Sequence, residues 1–127
     1  MIHRTVRRGK VSTQKRILSL SRYMAYISGT LDLLILKTLT WGPRHGYAIA
    51  RWLEDTTDDA LRIEEGSLYP ALYRLERRGL IEASWGTSEI GKRIKIYALT
   101  KPGRAELKSE FAEWSQFSAA VAKVMGA

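Results

Sequence analysis

The sequence predicts a mainly α-helical fold with a small β-hairpin and a long C-terminal helix. Three observations carry this prediction: a short amphipathic segment at 64–81, an alternating pattern at 92–99, and an apolar stripe with helical spacing after residue 101. The chain has 127 residues, enough for one domain with a modest core. We therefore expect a single small domain with a helical extension.

Residues 64–81 predict a short helix with one apolar face and one face of arginine and tyrosine. Ser67 is the expected N-cap, Pro70 is tolerated in the first turn, and Gly79 ends the helix. The apolar stripe consists of Leu68, Leu72 and Leu75. The opposite face consists of Pro70, Tyr73, Arg74 and Arg77, with Ser67 at its margin. An isolated helix of this kind is more often a solvated surface, so the next segment decides its meaning.

That next segment predicts a β-hairpin with a basic outer face. Residues 86–91 form the turn, and in the strand after it apolar residues alternate with basic ones. The apolar set is Ile94, Ile96 and Ala98, and the outer set is Arg93, Lys95 and Tyr97. Such a helix followed by a cationic ribbon is the layout of a winged helix-turn-helix, in which the helix enters a major groove and the ribbon touches the flanking backbone.

Charge is unevenly distributed along the chain. The formal net charge is +8, yet residues 1–24 contain seven Lys or Arg and no acid, which leaves 14 basic against 13 acidic residues elsewhere. Bulk charge therefore does not argue for nucleic acid in the folded part, where the positions of the arginines matter. The chain has no cysteine, which excludes disulfides and thiolate chemistry.

Residues 1–24 form a basic N-terminal extension that we expect to be disordered. Three interpretations are open: a basic arm that contacts phosphates, an organelle-type presequence, or translated upstream sequence with Met24 as the true start; we favour the third. Its apolar run at 17–20 is too short for a signal peptide. No segment approaches the ~18 apolar residues of a membrane span, so we expect a cytoplasmic protein without a membrane partner.

Residues 31–39 predict a helix that is apolar almost all round, so its own domain or a partner subunit must cover it. We find these two alternatives equally balanced. Residues 41–46 predict a turn, and a second helix is expected from Tyr47 to about Glu54. Residues 61–63 could supply a first strand of the wing sheet. The core contribution expected from the second helix is Tyr47, Ile49, Ala50 and Leu53.

Thr100 is the expected cap of a last helix that reaches about Met125. A helix of ~25 residues extends roughly 37 Å, further than a small domain needs for its own core. We infer a winged-helix domain at 25–100 and a dimerisation helix at 101–127; folding back onto the domain is the alternative. The predicted dimer interface consists of Leu31, Leu34, Leu107, Phe111, Trp114, Ser118, Val121 and Met125, widened by Phe117 and Val124.

Five motifs, at 29–36, 42–49, 65–76, 79–81 and 97–100, resemble the PadR family of bacterial transcriptional regulators. The resemblance covers residues 27 to about 124, and its specificity comes from several motifs in the same order. It implies a cytoplasmic homodimer with an N-terminal winged helix-turn-helix and a short C-terminal dimerisation helix. It also implies repression of transcription, sometimes relieved by a small molecule. The first 24 residues have no counterpart in the family pattern, which supports Met24 as the start.

Carried over by position, the resemblance implies DNA contacts from the recognition helix and the wing. Arg74 is the expected base reader, because a guanidinium matches both acceptors of a guanine edge. Two copies on a two-fold axis should bind a pseudo-palindromic operator whose half-sites lie roughly 34 Å apart. The expected contacts are Ser67, Tyr69, Pro70, Tyr73 and Arg74, with Arg77 and Arg78 at phosphates and Lys92, Arg93 and Lys95 in the wing.

Other classes of function find less support. The two histidines, His3 and His45, have no catalytic or metal-binding context, so we expect no enzyme activity, cofactor or metal. Glu64 and Glu65 suit the N-terminus of the recognition helix rather than acid–base catalysis. A winged helix that binds protein instead of DNA is the main alternative. The aromatic residues of the last helix could line a pocket for an unidentified effector, but we favour simple packing.

Overall fold

The computed structural model describes the backbone of residues 24–127 and the side chains from residue 29 onward. The expected N-terminal extension at 1–24 lies outside the described residues, apart from Met24, where the first helix begins. The described part contains four α-helices and a small three-stranded antiparallel sheet, which confirms the predicted fold class. The elements are α1 (Met24–Thr38), a 3-10 turn (Leu39–Trp41), β1 (Arg44–His45), α2 (Gly46–Thr56), α3 (Glu65–Arg77), β2 (Ile81–Thr87), β3 (Arg93–Leu99) and α4 (Lys101–Gly126).

The core lies between α1, α2, α3 and the base of the sheet. Helix α1 is covered on several sides by α2, α3 and α4, which explains why its sequence is apolar almost all round. Most of the α1 surface is therefore buried within its own domain. Among the leucines of α1, only Leu34 has a half-buried side chain, and the others are buried. The fully buried side chains include Ile35, Leu36, Ile49, Leu68, Leu72, Leu75 and Ile81.

The sheet has the order β1-β3-β2, and both pairings are antiparallel. Its short first strand comes from Arg44 and His45, which lie opposite Tyr97 and Ile96. Strand β1 therefore occupies part of the segment predicted to be a turn, and the prediction that residues 61–63 supply this strand is wrong.

The loop before α3 is held by side chains instead of by a strand partner. The backbone N–H of Leu61 donates to the Thr57 hydroxyl at 3.2 Å, and that of Ile63 donates to the Glu54 carboxylate at 3.0 Å. These N–H groups are satisfied locally, so residues 61–63 have less need for a strand partner.

Helix α2 begins at Gly46, one residue before the predicted start. His45 caps it, because its Nδ1 accepts a hydrogen bond from the Ala48 N–H at 3.3 Å. Ile49, Ala50 and Leu53 are buried as expected. Tyr47 was expected in the core but is 59% exposed, which corrects its assignment.

Helix α4 is anchored at its first turn. The Thr100 hydroxyl accepts from the Gly103 N–H at 3.0 Å and donates to the Gly79 carbonyl at 2.7 Å. This confirms the predicted cap and ties α4 to the end of α3. Gly103 is buried against the Leu80 carbonyl oxygen. None of the helices in residues 24–127 combines the length and the hydropathy needed to cross a membrane.

Candidate nucleic-acid interface

Helix α3 presents one narrow row of side chains away from the core. Leu68, Ala71, Leu72 and Leu75 are buried on the inner face. At about 100° per residue, Pro70, Tyr73 and Arg77 lie opposite that face, and all three are exposed. The guanidinium of Arg77 lies 5.7 Å from the centre of the Tyr73 ring. These three residues form the row that a groove of DNA would meet first.

The ends of α3 fix its orientation. The cap residue is Glu64, whose carbonyl oxygen accepts from the N–H groups of Ser67 and Leu68 at 3.0 and 2.9 Å. Ser67 was predicted to be the N-cap, but it lies inside the first turn because the helix begins two residues earlier. The predicted stop is confirmed: Gly79 has a φ of 74°, a left-handed conformation that glycine adopts at low cost.

The same C-terminal turn joins α3 to the core. The Gly79 N–H donates to the Glu76 carbonyl at 3.0 Å, and the Leu80 N–H donates to the Leu75 carbonyl at 3.0 Å. This is the Schellman pattern, in which the residue after the glycine packs back on the helix. Leu80 and Leu75 are both buried, so the chain enters β2 from a fixed position.

Arg74 and Arg78 lie on a flank of α3, not on its outward row. Arg74 Nη2 lies 3.0 Å from Asp32 Oδ1 of α1, and Arg78 Nη2 lies 3.1 Å from Glu106 Oε2 of α4. Arg74 was expected to read bases, but its guanidinium is engaged inside the chain. The distance in sequence between Arg74 and Asp32 explains why the pattern along α3 alone did not reveal this contact.

A set of carboxylates lies beside these arginines. Burial raises the pKa of Asp32 even though Arg74 lowers it. Glu110 has a pKa raised to about 7, first by burial and then by its hydrogen bond and repulsion with Glu106. The pKa of Glu106 is lowered by the hydrogen bond from Glu110 and by Arg78. The two glutamates therefore share a proton near neutral pH.

The β2–β3 ribbon has its basic residues on the face that continues the core. Ile81 lies opposite Leu99 at the base of the ribbon, and farther out Trp85 lies opposite Lys95. Because side chains alternate along a strand, Lys95 shares the face of Leu99 and of the buried Tyr97. The prediction of a basic outer face backed by an inner apolar face of Ile94, Ile96 and Ala98 is therefore wrong in orientation.

This basic face of the ribbon is turned toward α3. Lys95 Nζ lies 3.5 Å from Glu76 Oε1 of α3. Arg93 lies farther toward the tip, with its guanidinium 4.2 Å from the centre of the Trp85 ring. Lys92 is exposed in the turn, where its N–H donates to the Ser88 hydroxyl at 3.0 Å. The ribbon and α3 thus present their cations on adjoining surfaces.

A groove of about 880 Å³ separates the wing from the start of α2 and α3. Tyr69 and Tyr47 line it on the helical side, and Lys92 and Lys95 line it on the wing side. Arg51 Nη1 donates to the Tyr47 hydroxyl at 3.0 Å and adds another cation beside this groove. Sequence reasoning missed Tyr47 and Arg51, although their four-residue spacing places them on one helix face.

The candidate dimer surface is exposed along most of α4. The exposed fractions of Phe111, Trp114, Val121 and Met125 are 57%, 45%, 41% and 77%. The alternative prediction was that α4 folds back over its own domain and buries this stripe, and the exposure of these side chains contradicts it. Ser118, Leu107 and Leu34 are half-buried.

Helices α1 and α4 together form an apolar groove of about 380 Å³ beside this stripe. Leu34, Leu107, Phe111 and Trp114 line it, so four of the predicted interface residues meet there. Leu31 does not join them: it is 3% exposed and packs in the chain's own core, which removes it from the predicted interface.

The described residues also bear on the other classes of site. Across the part of the chain from residue 24 onward, no group of three or more His, Cys, Asp or Glu side chains is arranged to hold a metal ion. His45 serves as the cap of α2. Glu64 and Glu65 lie at the start of α3, where their negative charges interact favourably with the positive end of the helix dipole.

Comparison with known proteins agrees with this architecture. The model of the transcriptional regulator PadR-like family matches residues 35–109. An uncharacterized protein from Lysinibacillus sphaericus is 34% identical over 90 residues, which cover 71% of this chain and 83% of that protein.

Solved structures give the same result. A transcriptional regulator from Clostridium thermocellum superposes with a TM-score of 0.72 at 33% identity, covering 78% of this chain and 96% of that one. A PadR family transcriptional regulator from Eggerthella lenta superposes with a TM-score of 0.71 at 32% identity, covering 90% of this chain and 96% of that one. The members of this family are regulators of transcription and not enzymes. The chain belongs to the PadR-like family of transcriptional regulators.

Proposed function

We propose that this chain is a homodimeric repressor that binds an inverted-repeat operator in duplex DNA. The observation that carries the proposal is the exposed row of Pro70, Tyr73 and Arg77 on α3, beside the basic face of the wing. A helix supported by a buried leucine face can enter a major groove, while the neighbouring ribbon contacts the flanking strand. The family supplies the regulatory context.

Within this proposal, Arg77 takes the base-reading role first expected for Arg74. Arg77 projects from the outward row and has no carboxylate partner among the ion pairs of the described residues. Its guanidinium can donate to both acceptors of a guanine edge in the major groove. Tyr73 can pack on a thymine methyl group or donate to a phosphate, and Arg74 holds α3 against α1.

The remaining contacts divide between the edges of the row and the wing. Ser67 and Tyr69 lie near the start of α3, where a helix N-terminus favours a phosphate. Lys92 and Lys95 of the wing, together with Arg51 of α2, surround the groove described above and suit the sugar-phosphate backbone. Arg78 is held by Glu106 and contributes less to DNA than its position in the sequence suggests.

A second copy of the chain is the proposed occupant of the exposed α4 stripe. Large apolar side chains left in water along a helix are typical of an interface, and a monomer seldom exposes so long a stripe. Residues 25–100 then form the DNA-binding part and residues 101–127 the dimerisation part. A two-fold axis places two α3 helices on half-sites roughly 34 Å apart. Such a dimer represses transcription when it occupies a promoter. Because the DNA that it binds lies in the cytoplasm, we propose that the protein acts there.

The test is a selection from a random duplex library with the full chain, followed by fluorescence anisotropy over a salt series. We expect an enriched inverted repeat, two chains per duplex, and an affinity for the repeat that falls steeply as salt rises. A pool that stays random would contradict the proposal and favour a winged helix that binds protein. If the selected duplexes carry a single unrepeated site and bind one chain, sequence-specific binding stands and only the proposed dimer is contradicted.

A further inference from the structure

A cavity of about 500 Å³ lies where α1, the end of α3 and α4 meet. Its charged lining consists of four carboxylates and one guanidinium: Asp32, Glu106, Glu110, Glu113 and Arg78. Arg74 pairs with Asp32 at 3.0 Å, and Arg78 pairs with Glu106 at 3.1 Å. Glu110 is half-buried and belongs to none of the ion pairs of the described residues. The cavity therefore contains more carboxylates than the two arginines can balance.

Glu110 and Glu106 lie four residues apart on α4 and share a hydrogen bond. A carboxylate has no proton to donate, so this bond forms only when one of the two groups is protonated. With both groups ionised, two like charges would face each other at a spacing that destabilises a helix. From the other helices, Asp32 of α1 repels a charge on Glu110 and Arg78 at the end of α3 attracts it. The arrangement of this cluster therefore depends on one proton.

The same proton is connected to the DNA-binding part through Glu106 and Arg78. Glu106 accepts a hydrogen bond from Glu110 on one side and from Arg78 Nη2 on the other, the second at 3.1 Å. Arg78 is the C-cap of α3 and directly follows Arg77, the proposed base reader. A continuous set of hydrogen bonds thus runs from the proposed dimerisation helix to the end of α3.

Helix α4 is fixed at its first turn, so a change at this cluster alters its angle. Thr100 bonds the Gly79 carbonyl at the end of α3, and Gly103 packs against the Leu80 carbonyl oxygen. Glu110 lies ten residues after Thr100, about 15 Å along the helix at ~1.5 Å per residue. Loss of the proton replaces attraction by repulsion at this distance from the fixed turn. In a dimer joined through α4, the resulting rotation moves both copies of α3, because packed interfaces amplify small shifts.

We propose that Glu110, Glu106 and Arg78 form a proton-dependent contact between α4 and α3, which holds the dimer in its operator-binding arrangement and weakens as the pH rises above neutral. The inference rests on the proposed function, because it concerns regulation of operator binding by the same dimer. Two half-sites at a fixed spacing accept only a narrow range of separations between the two α3 helices. Deprotonation therefore reduces the affinity for the operator, while the apolar stripe of α4 keeps the two chains together.

Fluorescence anisotropy of the full chain on the selected operator tests this proposal. Burial and Glu106 raise the pKa of Glu110 to about 7, so buffers at about pH 6 and about pH 8, at equal salt, compare the two states. We expect the affinity for the operator to fall about tenfold between them, with little change for a scrambled duplex. Because coupling is reciprocal, operator binding near neutral pH should take up protons. Calorimetry in two buffers that differ in ionisation enthalpy measures this uptake.

Three variants locate the effect. Glu110→Gln keeps a donor toward Glu106 but has no proton to lose, so it should bind equally well in both buffers and lose the proton uptake. Glu113→Gln is the matched control, because Glu113 is exposed, lines the same cavity and carries the same charge. The double variant His3→Asn, His45→Asn removes both histidines, which ordinarily titrate in this range, and keeps a side-chain acceptor at the cap of α2. Both controls should retain the tenfold change.

The outcomes separate this inference from the function on which it rests. Equal binding of operator and scrambled duplexes in both buffers would contradict the proposed function. If the operator is preferred, the inference alone is overturned by an absent or reversed pH dependence, by one that survives in Glu110→Gln, or by one that disappears in either control.

Sedimentation in both buffers should give a dimer, since the proposal places the change in the position of α3 and not in assembly. Dissociation of the wild-type chain at about pH 8 would overturn that route. Circular dichroism melting of each variant in both buffers confirms that a lost affinity does not come from unfolding.

Discussion

Arg74 of α3 donates a hydrogen bond to Asp32 of α1, with Nη2 3.0 Å from Oδ1. The Arg74 side chain is 47% exposed and that of Asp32 is 13% exposed, so the acid lies deeper than its partner. Burial raises the pKa of Asp32 more than Arg74 lowers it. The ion pair therefore fixes the flank of α3 at a place where an unpartnered carboxylate would be costly.

A double-mutant cycle measures this contact. Arg74→Ala should reduce the free energy of unfolding by about 1 kcal/mol, because it leaves the Asp32 charge without a donor in a half-desolvated site. The same substitution in an Asp32→Ala background should cost less, since no buried charge remains. Urea denaturation of the four proteins gives the coupling energy. Equal costs in both backgrounds would mean that the ion pair does not stabilise the fold.

Because Arg77 is proposed to read bases and Lys92 to contact the DNA backbone, their substitutions should affect DNA binding differently. Arg77→Ala should cost about 1–3 kcal/mol on the selected site and relax its base preference, whereas Lys92→Ala should weaken all duplexes alike and reduce the salt slope by about one. Anisotropy on core and base-substituted duplexes separates the two effects. If Arg74→Ala relaxes base preference and Arg77→Ala does not, the role first expected from the sequence is the right one.

Local signals predicted the stop and the apolar face of α3, because both depend on neighbours in sequence, but they placed the N-cap at Ser67 instead of Glu64. Gly79 is an example: the left-handed turn that ends α3 needs a residue without a Cβ. The faces of the ribbon were not predictable from alternation, since a period of two gives two faces without saying which one meets the core. Tyr97 is buried because its face of the sheet packs against the hydrophobic core.

The rest of the site was harder to predict, because it depends on contacts between residues that lie far apart in the sequence. Arg74 and its partner Asp32 are 42 residues apart, so nothing along α3 indicated that the arginine is engaged. The burial of Leu31 likewise depends on how α1 packs against other helices rather than on its own pattern. The exposed stripe of α4 was predictable, because its length alone exceeds what the small domain can cover.

Glu110 predicts a pH dependence of stability. Its pKa in the folded chain is about 7, against a usual value of 4.5, so between these pH values the folded chain holds a proton that the unfolded chain has released. The free energy of unfolding should therefore fall as pH rises from about 4.5 through 7 and then level off.

Glu110→Gln isolates this contribution. The difference in unfolding free energy between wild type and Glu110→Gln should increase over the same pH window, in favour of the glutamine variant. Glu113→Gln is the control, because Glu113 lies on the same helix with an exposed side chain. Urea denaturation at several pH values provides the comparison. A pH-independent difference for Glu110→Gln would show that the shared proton with Glu106 does not form.

The proposed dimer predicts a face-dependent effect of added charge on α4. Val121→Glu places a carboxylate within the apolar stripe and should weaken the dimer by about 2 kcal/mol or more, because the charge loses water without gaining a partner. Ala119→Glu adds the same charge on the opposite side of the helix and should leave the dimer intact. Sedimentation over a concentration series distinguishes the dimer from the 14.4 kDa monomer. Equal effects of the two substitutions would place the interface elsewhere.

Gly103 predicts how closely α4 must approach the rest of the domain. It is buried, and a Cβ at this position would meet the Leu80 carbonyl oxygen and the Leu99 side chain. Gly103→Ala should therefore push the first turn of α4 away from the end of α3 and reduce the free energy of unfolding by about 1–3 kcal/mol. Gly66→Ala is the matched control, because a Cβ at that position has nothing within 4 Å. This substitution also replaces a helical glycine by a residue with a higher helix propensity. Thermal melting of both variants should move in opposite directions, and a neutral Gly103→Ala would mean that α4 can shift on the domain without cost.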